Sequence, residues 1–276
     1  MKIRENMLPV LKPKGGKEEI QALQEVIESG WWGKGPKVQE FEEKFAEMVG
    51  HKYAVAVTSA SHGQDLIMKA LGYKGIDVIN PAISFIATAM IPLWNNFTSN
   101  IVDVKRDTLC IDPQDVERYK KPNSEVLIAV NQAGVPCDYK ALRKVFGGFI
   151  LEDTAHSCYT PGAGLGGDAA VWSFQAVKTM PTGDGGMITT DNKEIMEKIK
   201  KLYWFGIEST YNRVNKQNHF SFIMTVSFKT IGASVALLFS GAAIVGAVES
   251  PKANALGMCH TEQDANGRIE FCLTKR

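Results

Sequence analysis

Charge of one sign is what this sequence most plainly lacks: 31 Lys and Arg stand against 30 Asp and Glu, for a net charge of +1. A nucleic-acid binder carries clustered basic residues, so nucleic acid is set aside as a partner, as is attraction to acidic lipid by charge alone. Cysteine at metal-ligand spacing is missing too. Cys110, Cys137 and Cys158 are scattered, with no CxxC pair and no suitably spaced histidine. No metal site is expected, and the thiols read as reduced, mostly buried groups of a cytoplasmic protein. No apolar run follows the charged stretch Met1–Arg4, so no secretory signal is expected there. A Walker lysine motif is absent, and no internal repeat or low-complexity segment precedes Asn215.

What is present is an ordinary globular composition. A chain of 276 residues, 45% hydrophobic and 22% charged, can bury one large core, with room for a small second domain. One segment departs from this. Thr230 to Val248, TIGASVALLFSGAAIVGAV, holds no charged residue and is near the lower length limit for a membrane span. Contact with a membrane through residues 230–248 is one expectation for it, and a buried helix is another.

Apolar periodicity opens the chain. Ile20, Leu23, Val26 and Ile27 share one helical face that stops at Gly30, and Val38, Phe41, Phe45 and Met48 mark a second helix ending at Gly50. The loop between them, GWWGKGP, carries two large aromatics. Strands and helices then alternate: strands at Tyr53–Val57, Asp77–Asn80, Ser99–Val104, Glu125–Val130, Phe149–Glu152, Ala169–Phe174 and Gly186–Thr190, and helices at Ser61–Leu71, Ser84–Trp94, Pro113–Tyr119, Tyr139–Phe146 and Asn192–Trp204. This alternation predicts an α/β domain with a mostly parallel central sheet flanked by helices. The character changes after Arg213, which predicts a domain over 1–215 and a divergent tail over 216–276.

In such sheets ligands sit beyond the carboxyl ends of strands, so residues there are the candidates. The stretch Gly162-Ala163-Gly164-Leu165-Gly166-Gly167 formally matches GxGxxG. A dinucleotide site needs a strand before it and a helix after it; here Tyr-Thr-Pro precedes and the strand-like DAAVWSF follows, so the stretch reads as a loop. The segment SFQAVKTMPTGDGG presents Lys178 among small, apolar and uncharged polar residues, a setting that can desolvate an amine and make it nucleophilic, although taken alone a loop lysine reads more plainly as a solvated surface charge. Asp153 ends a strand, where a carboxylate can pair with a protonated ring nitrogen, although a turn or cap aspartate is the plainer reading. His156 lies three residues on. Thr58-Ser59-Ala60-Ser61 joins a strand to a helix, where backbone N–H groups can face an anion or Ser59 and Ser61 can simply cap the helix. Phe85 opens a helix and could stack on a ring or fill the core. Together these supply a phosphate cup, a stacking ring, a ring-nitrogen partner and an amine: the parts needed to hold pyridoxal 5′-phosphate (PLP).

The same residues resemble the DegT/DnrJ/EryC1/StrS sugar aminotransferases, of the aspartate-aminotransferase fold type. The matching stretches, SGWWGKGPKVQEFEEKFAEMVG, AVAVTSASHGQDLIMKAL, INPAISFIATAMIPL, IVDVKRDTLCIDPQDVE, ILEDTAHS and GGDAAVWSFQAVKTMPTGDGGMITTDN, cover about residues 7–213 in family order. The resemblance implies that Lys178 forms the Schiff base and carries protons, and that Asp153 holds the pyridine nitrogen. It implies that His156 sits near the phenolic oxygen and Phe85 stacks on the ring, while Ala60, Ser61 and Ser173 bind the phosphate. It implies a homodimer that transfers an amino group from L-glutamate to a nucleotide-linked keto sugar for polysaccharide or glycoside synthesis. Related dehydratases have histidine in place of the lysine, and Lys178 favours transamination. The family's small C-terminal domain has no counterpart after about residue 213, and is expected to be missing or replaced. The tail from Met224 resembles a signal peptide. A catalytically silent PLP-fold protein, possibly tethered to a membrane, is the alternative expectation.

Overall fold

The computed structural model describes residues 13, 15–203, 262–263 and 269–270. The chain divides into two compact units, Met1–Asn212 and Arg213–Arg276. In the first, helices α1 (Lys17–Ser29) and α2 (Pro36–Val49) precede an alternating run. This run comprises β1 (Tyr53–Val57), α3 (Ala60–Leu71), β2 (Asp77–Pro81), α4 (Ala87–Trp94), β3 (Thr98–Val102), α5 (Pro113–Tyr119), β4 (Ser124–Val130), α6 (Tyr139–Val145), β5 (Phe149–Asp153), β6 (Ala169–Ser173), β7 (Gly186–Thr190) and α7 (Lys193–Tyr203).

The seven strands form one sheet in the order β1-β7-β6-β5-β4-β2-β3. Only β7 runs against the rest, pairing antiparallel with β1 and β6; the other pairs are parallel. The fold is therefore the expected α/β class with a mostly parallel sheet. Alternate side chains point to opposite faces of a strand, and the core obeys that period. Val126, Ile128 and Val130 of β4, Leu151 of β5 and Ile188 of β7 pack against α3, α4 and α7. Leu127, Ala129 and Ile150 face α5 and α6, while Trp172 and Met187 meet Phe45 of α2. Ile128, Ile150 and Leu142 are fully buried, and burying each such side chain contributes about 1.5–3 kcal/mol.

Local signals act where they were expected. Asp112 caps α5 by accepting from Gln114 N at 2.9 Å, and Ser59 caps α3 by accepting from His62 N at 3.1 Å. Two boundaries differ. The third strand ends at Val102 because Asp103 turns back to accept from Val104 N at 2.8 Å. The helix expected from Ser84 begins only at Ala87, because Thr88 N bonds Phe85 O at 3.0 Å and closes a tight turn first. The apolar stripe of α1, Ile20, Leu23 and Ile27, is exposed.

Within the second unit, β8 (Glu262–Gln263) and β9 (Ile269–Glu270) form an antiparallel pair. The expected boundary near residue 215 and the uncharged segment 230–248 lie outside the described residues. Among the described residues no helix is long and apolar enough to cross a membrane.

Candidate active site

Because six strands share one direction, their carboxyl ends line one edge of the sheet. Register fixes the neighbours there: Val57 opposes Gly186, which opposes Ser173, while Asp153 lies between Val130 and Val171. Ser173 and Asp153 therefore end adjacent strands, and the Ser59–Ser61 turn follows a third. A side chain on Gly186 would put its Cβ 2.6 Å from both Ala60 N and Ser59 C. Only glycine lets β7 start so close to the first turn of α3. Ala60 and Ser61 are the first two residues of α3, so the helix itself leaves their N–H groups without an acceptor. Ser59 is committed to capping, so the plainer reading holds for it.

Lys178 belongs to the loop joining β6 to β7, both of whose ends reach this edge. Backbone bonds from Phe174 N to Gly185 O at 2.9 Å and from Thr182 N to Phe174 O at 2.8 Å close its base. Gly183, with φ of 96°, permits the return. Phe174 anchors the loop: it is buried, 5.3 Å by ring centroids from both Phe41 and Phe45 of α2. A tight turn, Lys178 N to Gln175 O at 2.8 Å, then presents the half-buried lysine.

Electrostatics link three of the expected residues. Burial lowers the Lys178 pKa and the negative charge of Asp153 opposes that shift. Burial raises the Asp153 pKa, against the Ala155 N–H, the Lys178 charge and the Gln64 amide. Partial desolvation on the side of the ring that faces the protein, and the Lys178 charge, both lower the His156 pKa although the residue as a whole is exposed. Lys178 thus lies close enough to both Asp153 and His156 for its charge to act on them. His156 is exposed, and its Nδ1 takes a hydrogen bond from Ala133 N at 3.3 Å. A nitrogen that accepts has its lone pair free, so the neutral ring carries its proton on Nε2. Ala133 reaches this position in the left-handed region, with φ of 50°, a conformation that a non-glycine residue adopts at a cost.

Phe85 does not open the helix and is not core. It stands two residues before α4 and is 72% exposed. Ser173, partly buried, contributes a hydroxyl with only a 3.5 Å bond from Gln175 N. Asp153 Oδ1 accepts from Ala155 N at 3.0 Å, so the plain turn-aspartate reading also holds in part.

Three features escaped the sequence. Gln64 Nε2 donates to Asp153 Oδ2 at 2.7 Å. The signal for it was a polar residue inside the buried stripe of α3, beside Ala60, Gly63 and Ile67. Glu152, next to Asp153 but on the other face of β5, is fully buried. It accepts from Asn131 Nδ2 at 2.7 Å and from Gly164 N, Gly166 N and Gly167 N at 2.7, 2.9 and 3.2 Å. The glycine-rich stretch is therefore a loop, as expected, whose N–H groups cradle a carboxylate of the chain itself. Asn131, just past β4, fastens this loop through its amide.

The donor set fits PLP. Asp153 is a buried carboxylate whose hydrogen-bond donors, Gln64 and Ala155 N–H, are both neutral. It retains acceptor capacity for a protonated ring nitrogen. The unpaired N–H groups of Ala60 and Ser61, beside the Ser173 hydroxyl, suit a phosphate.

The model of the DegT/DnrJ/EryC1/StrS aminotransferase family matches residues 13–239, reaching past Arg213, where the resemblance seen in the sequence stops. Over 219 residues the chain is 41% identical to the spore coat polysaccharide biosynthesis protein SpsC of Bacillus subtilis (strain 168), covering 76% of this chain and 56% of SpsC. The structure of DesI, solved in the presence of its TDP-sugar product, superposes with a TM-score of 0.67 at 32% identity, over 71% of this chain and 52% of DesI. The PLP form of Spr1654 from Streptococcus pneumoniae, described as a sugar aminotransferase, gives a TM-score of 0.68 at 26% identity, over 71% and 57% of the two chains. The chain spans about half the length of the relatives it matches.

Proposed function

From the chain's place in the DegT/DnrJ/EryC1/StrS aminotransferase family, to which it belongs, we propose that it is a PLP-dependent aminotransferase. The amino donor is L-glutamate and the acceptor a nucleotide-linked keto sugar. The observation that carries this reading is the placement of Lys178, on the loop that follows β6, and the buried Asp153, at the end of the adjacent β5, on the carboxyl edge of the sheet. Support for the sugar comes from relatives: SpsC is named for polysaccharide biosynthesis, and DesI was solved with its TDP-sugar product.

When bound, PLP supplies an aldehyde that takes up an amine and a ring that withdraws electrons from the adjacent carbon. Lys178 would provide the amine that holds the aldehyde; its lowered pKa enlarges the neutral fraction available for this, and the same amine would move a proton at the substrate carbon. Asp153 would hold the protonated ring nitrogen, and His156 would lie near the phenolic oxygen. Phe85 would lie against the ring, and Ala60, Ser61 and Ser173 would hold the phosphate. The active unit is a homodimer, with residues 1–215 as the cofactor domain and 216–276 as a separate tail.

The test is spectroscopic. The full chain mixed with PLP should develop a visible band that Lys178→Ala abolishes, and L-glutamate should change the band of the wild type. A band indifferent to glutamate would remove transamination and leave a cofactor-binding protein; no band would remove the reading altogether.

A further inference from the structure

We propose that Gln64 is a positioning residue for the ring nitrogen, acting through Asp153; the inference rests on the reading of the site as a PLP site. Gln64 is 2% exposed, on the face of α3 that packs against the sheet. The residue before it makes that approach close. A Cβ on Gly63 would lie 3.1 Å from Ile188 Cγ1 and 3.2 Å from Val171 Cγ1, so most side chains there would push the helix outward. The close approach carries the Gln64 amide to the end of β5, where Nε2 meets Asp153 Oδ2 at 2.7 Å. The opposite amide orientation would set a carbonyl oxygen against a carboxylate, so charge fixes which end faces Asp153.

The other end of the amide is not satisfied. Gln64 Oε1 is buried with no hydrogen-bond partner among the described residues. A leucine of similar size would fill the same place without an unpaired Oε1, but it would take away the donor to Asp153 Oδ2. Packing therefore does not account for the amide, and its donor does. Asp153 has to remain anionic under burial and keep one orientation. The Gln64 amide holds Oδ2 and the Ala155 N–H holds Oδ1, so the carboxylate is fixed at both oxygens. Both donors are neutral. A lysine or arginine in place of Gln64 would neutralise Asp153 and compete with a protonated ring nitrogen; an amide steadies the charge and leaves it available.

The experiment uses the full-length protein loaded with PLP labelled with ¹⁵N in the ring. The wild type should give the ¹⁵N shift of a protonated ring nitrogen. In Gln64→Leu the shift should move toward that of an unprotonated ring, and the PLP dissociation constant should rise roughly tenfold, the loss expected for one charge-assisted hydrogen bond. In the cofactor-free variant an unpaired Oε1 is removed and Asp153 Oδ2 loses its donor, so the urea midpoint should stay close to that of the wild type. Gln64→Met, similar in length and without a donor, should shift the resonance the same way, and reads the same effect if the leucine variant fails to fold. An unchanged shift and affinity in a folded variant, beside a wild type that binds PLP through Lys178, would overturn the role of Gln64 alone. A wild type that binds no PLP would overturn the functional reading, and this inference with it.

Discussion

The two edges of the sheet each hold a buried aspartate, and the chain treats them in opposite ways. At the amino edge, Asp77 of β2 accepts from Lys121 Nζ at 2.6 Å, Ser124 Oγ at 2.7 Å, Thr98 Oγ1 at 2.8 Å and Asn100 Nδ2 at 2.9 Å. Burial pushes its pKa up, but the Lys121 ammonium and the three neutral donors outweigh that and lower it. At the carboxyl edge, Asp153 has two neutral donors and its pKa is raised. Glu152, one residue away, is saturated like Asp77. A carboxylate that ties strands and loops together is given every donor it can use. Among the described residues Asp153 keeps unused acceptor capacity, which leaves room for one further donor.

The sharpest way to break this comparison is to neutralise both aspartates. Asp153→Asn should lower transamination by roughly 100-fold or more, the scale of losing one placed electrostatic group at a reacting centre. It should not destabilise the cofactor-free chain at neutral pH. A carboxyl whose folded pKa is raised makes the fold less stable as pH rises through that pKa, so removing its charge relieves the fold. Assay and urea melts of the same preparation check both halves. Asp77→Asn should do the reverse. It should cost about 2–3 kcal/mol in urea denaturation, since four donors lose a charged acceptor, and leave the spectrum of bound PLP unchanged. Here the folded pKa is depressed, so the stabilisation is present above the ordinary value of 3.8 and is lost as pH falls through the lower folded value. The gap between wild type and Asp77→Asn should close on acidification. A gap that persists at low pH would mean that Asp77 acts by shape and not by charge.

The same contrast marks what could be read from the sequence. Strands β1 and β7 and helix α5 run as the sequence predicts, because short runs rich in apolar or β-branched residues and bounded by turn residues mark buried strands, and because Asp112-Pro113 is a start signal that needs no tertiary partner. Lys178, Asp153 and the Ser59–Ser61 turn were legible as residues beyond strand ends. Their grouping was not, since strand order is set by pairings between distant segments: β7 inserts between β1 and β6 only in three dimensions. Gln64 looked like one more polar residue on a helix, and Glu152 like the end of an apolar strand. The cradle that Gly164, Gly166 and Gly167 form around Glu152 depends on a loop folding back over β5, which no spacing rule encodes. Phe85 was expected to open a helix running from Ser84; the turn closed by Thr88 N and Phe85 O takes precedence.

The smallest expected effect tests whether Asp153 and Lys178 are coupled as their pKa directions say. Only the neutral amine attacks an aldehyde, so the rate at which the visible band grows with added PLP should rise with pH as Lys178 loses its proton. Burial lowers that pKa, so the midpoint should lie below the ordinary 10.5. The charge of Asp153 opposes the shift, so in Asp153→Asn the midpoint should move lower still, and band growth near neutral pH should become faster even as turnover is lost. Asp77→Asn, at the far edge of the sheet, should leave the midpoint where it was. A midpoint that moves equally in both variants would mean that general loosening of the sheet, and not the charge beside Lys178, sets the reactivity of the amine.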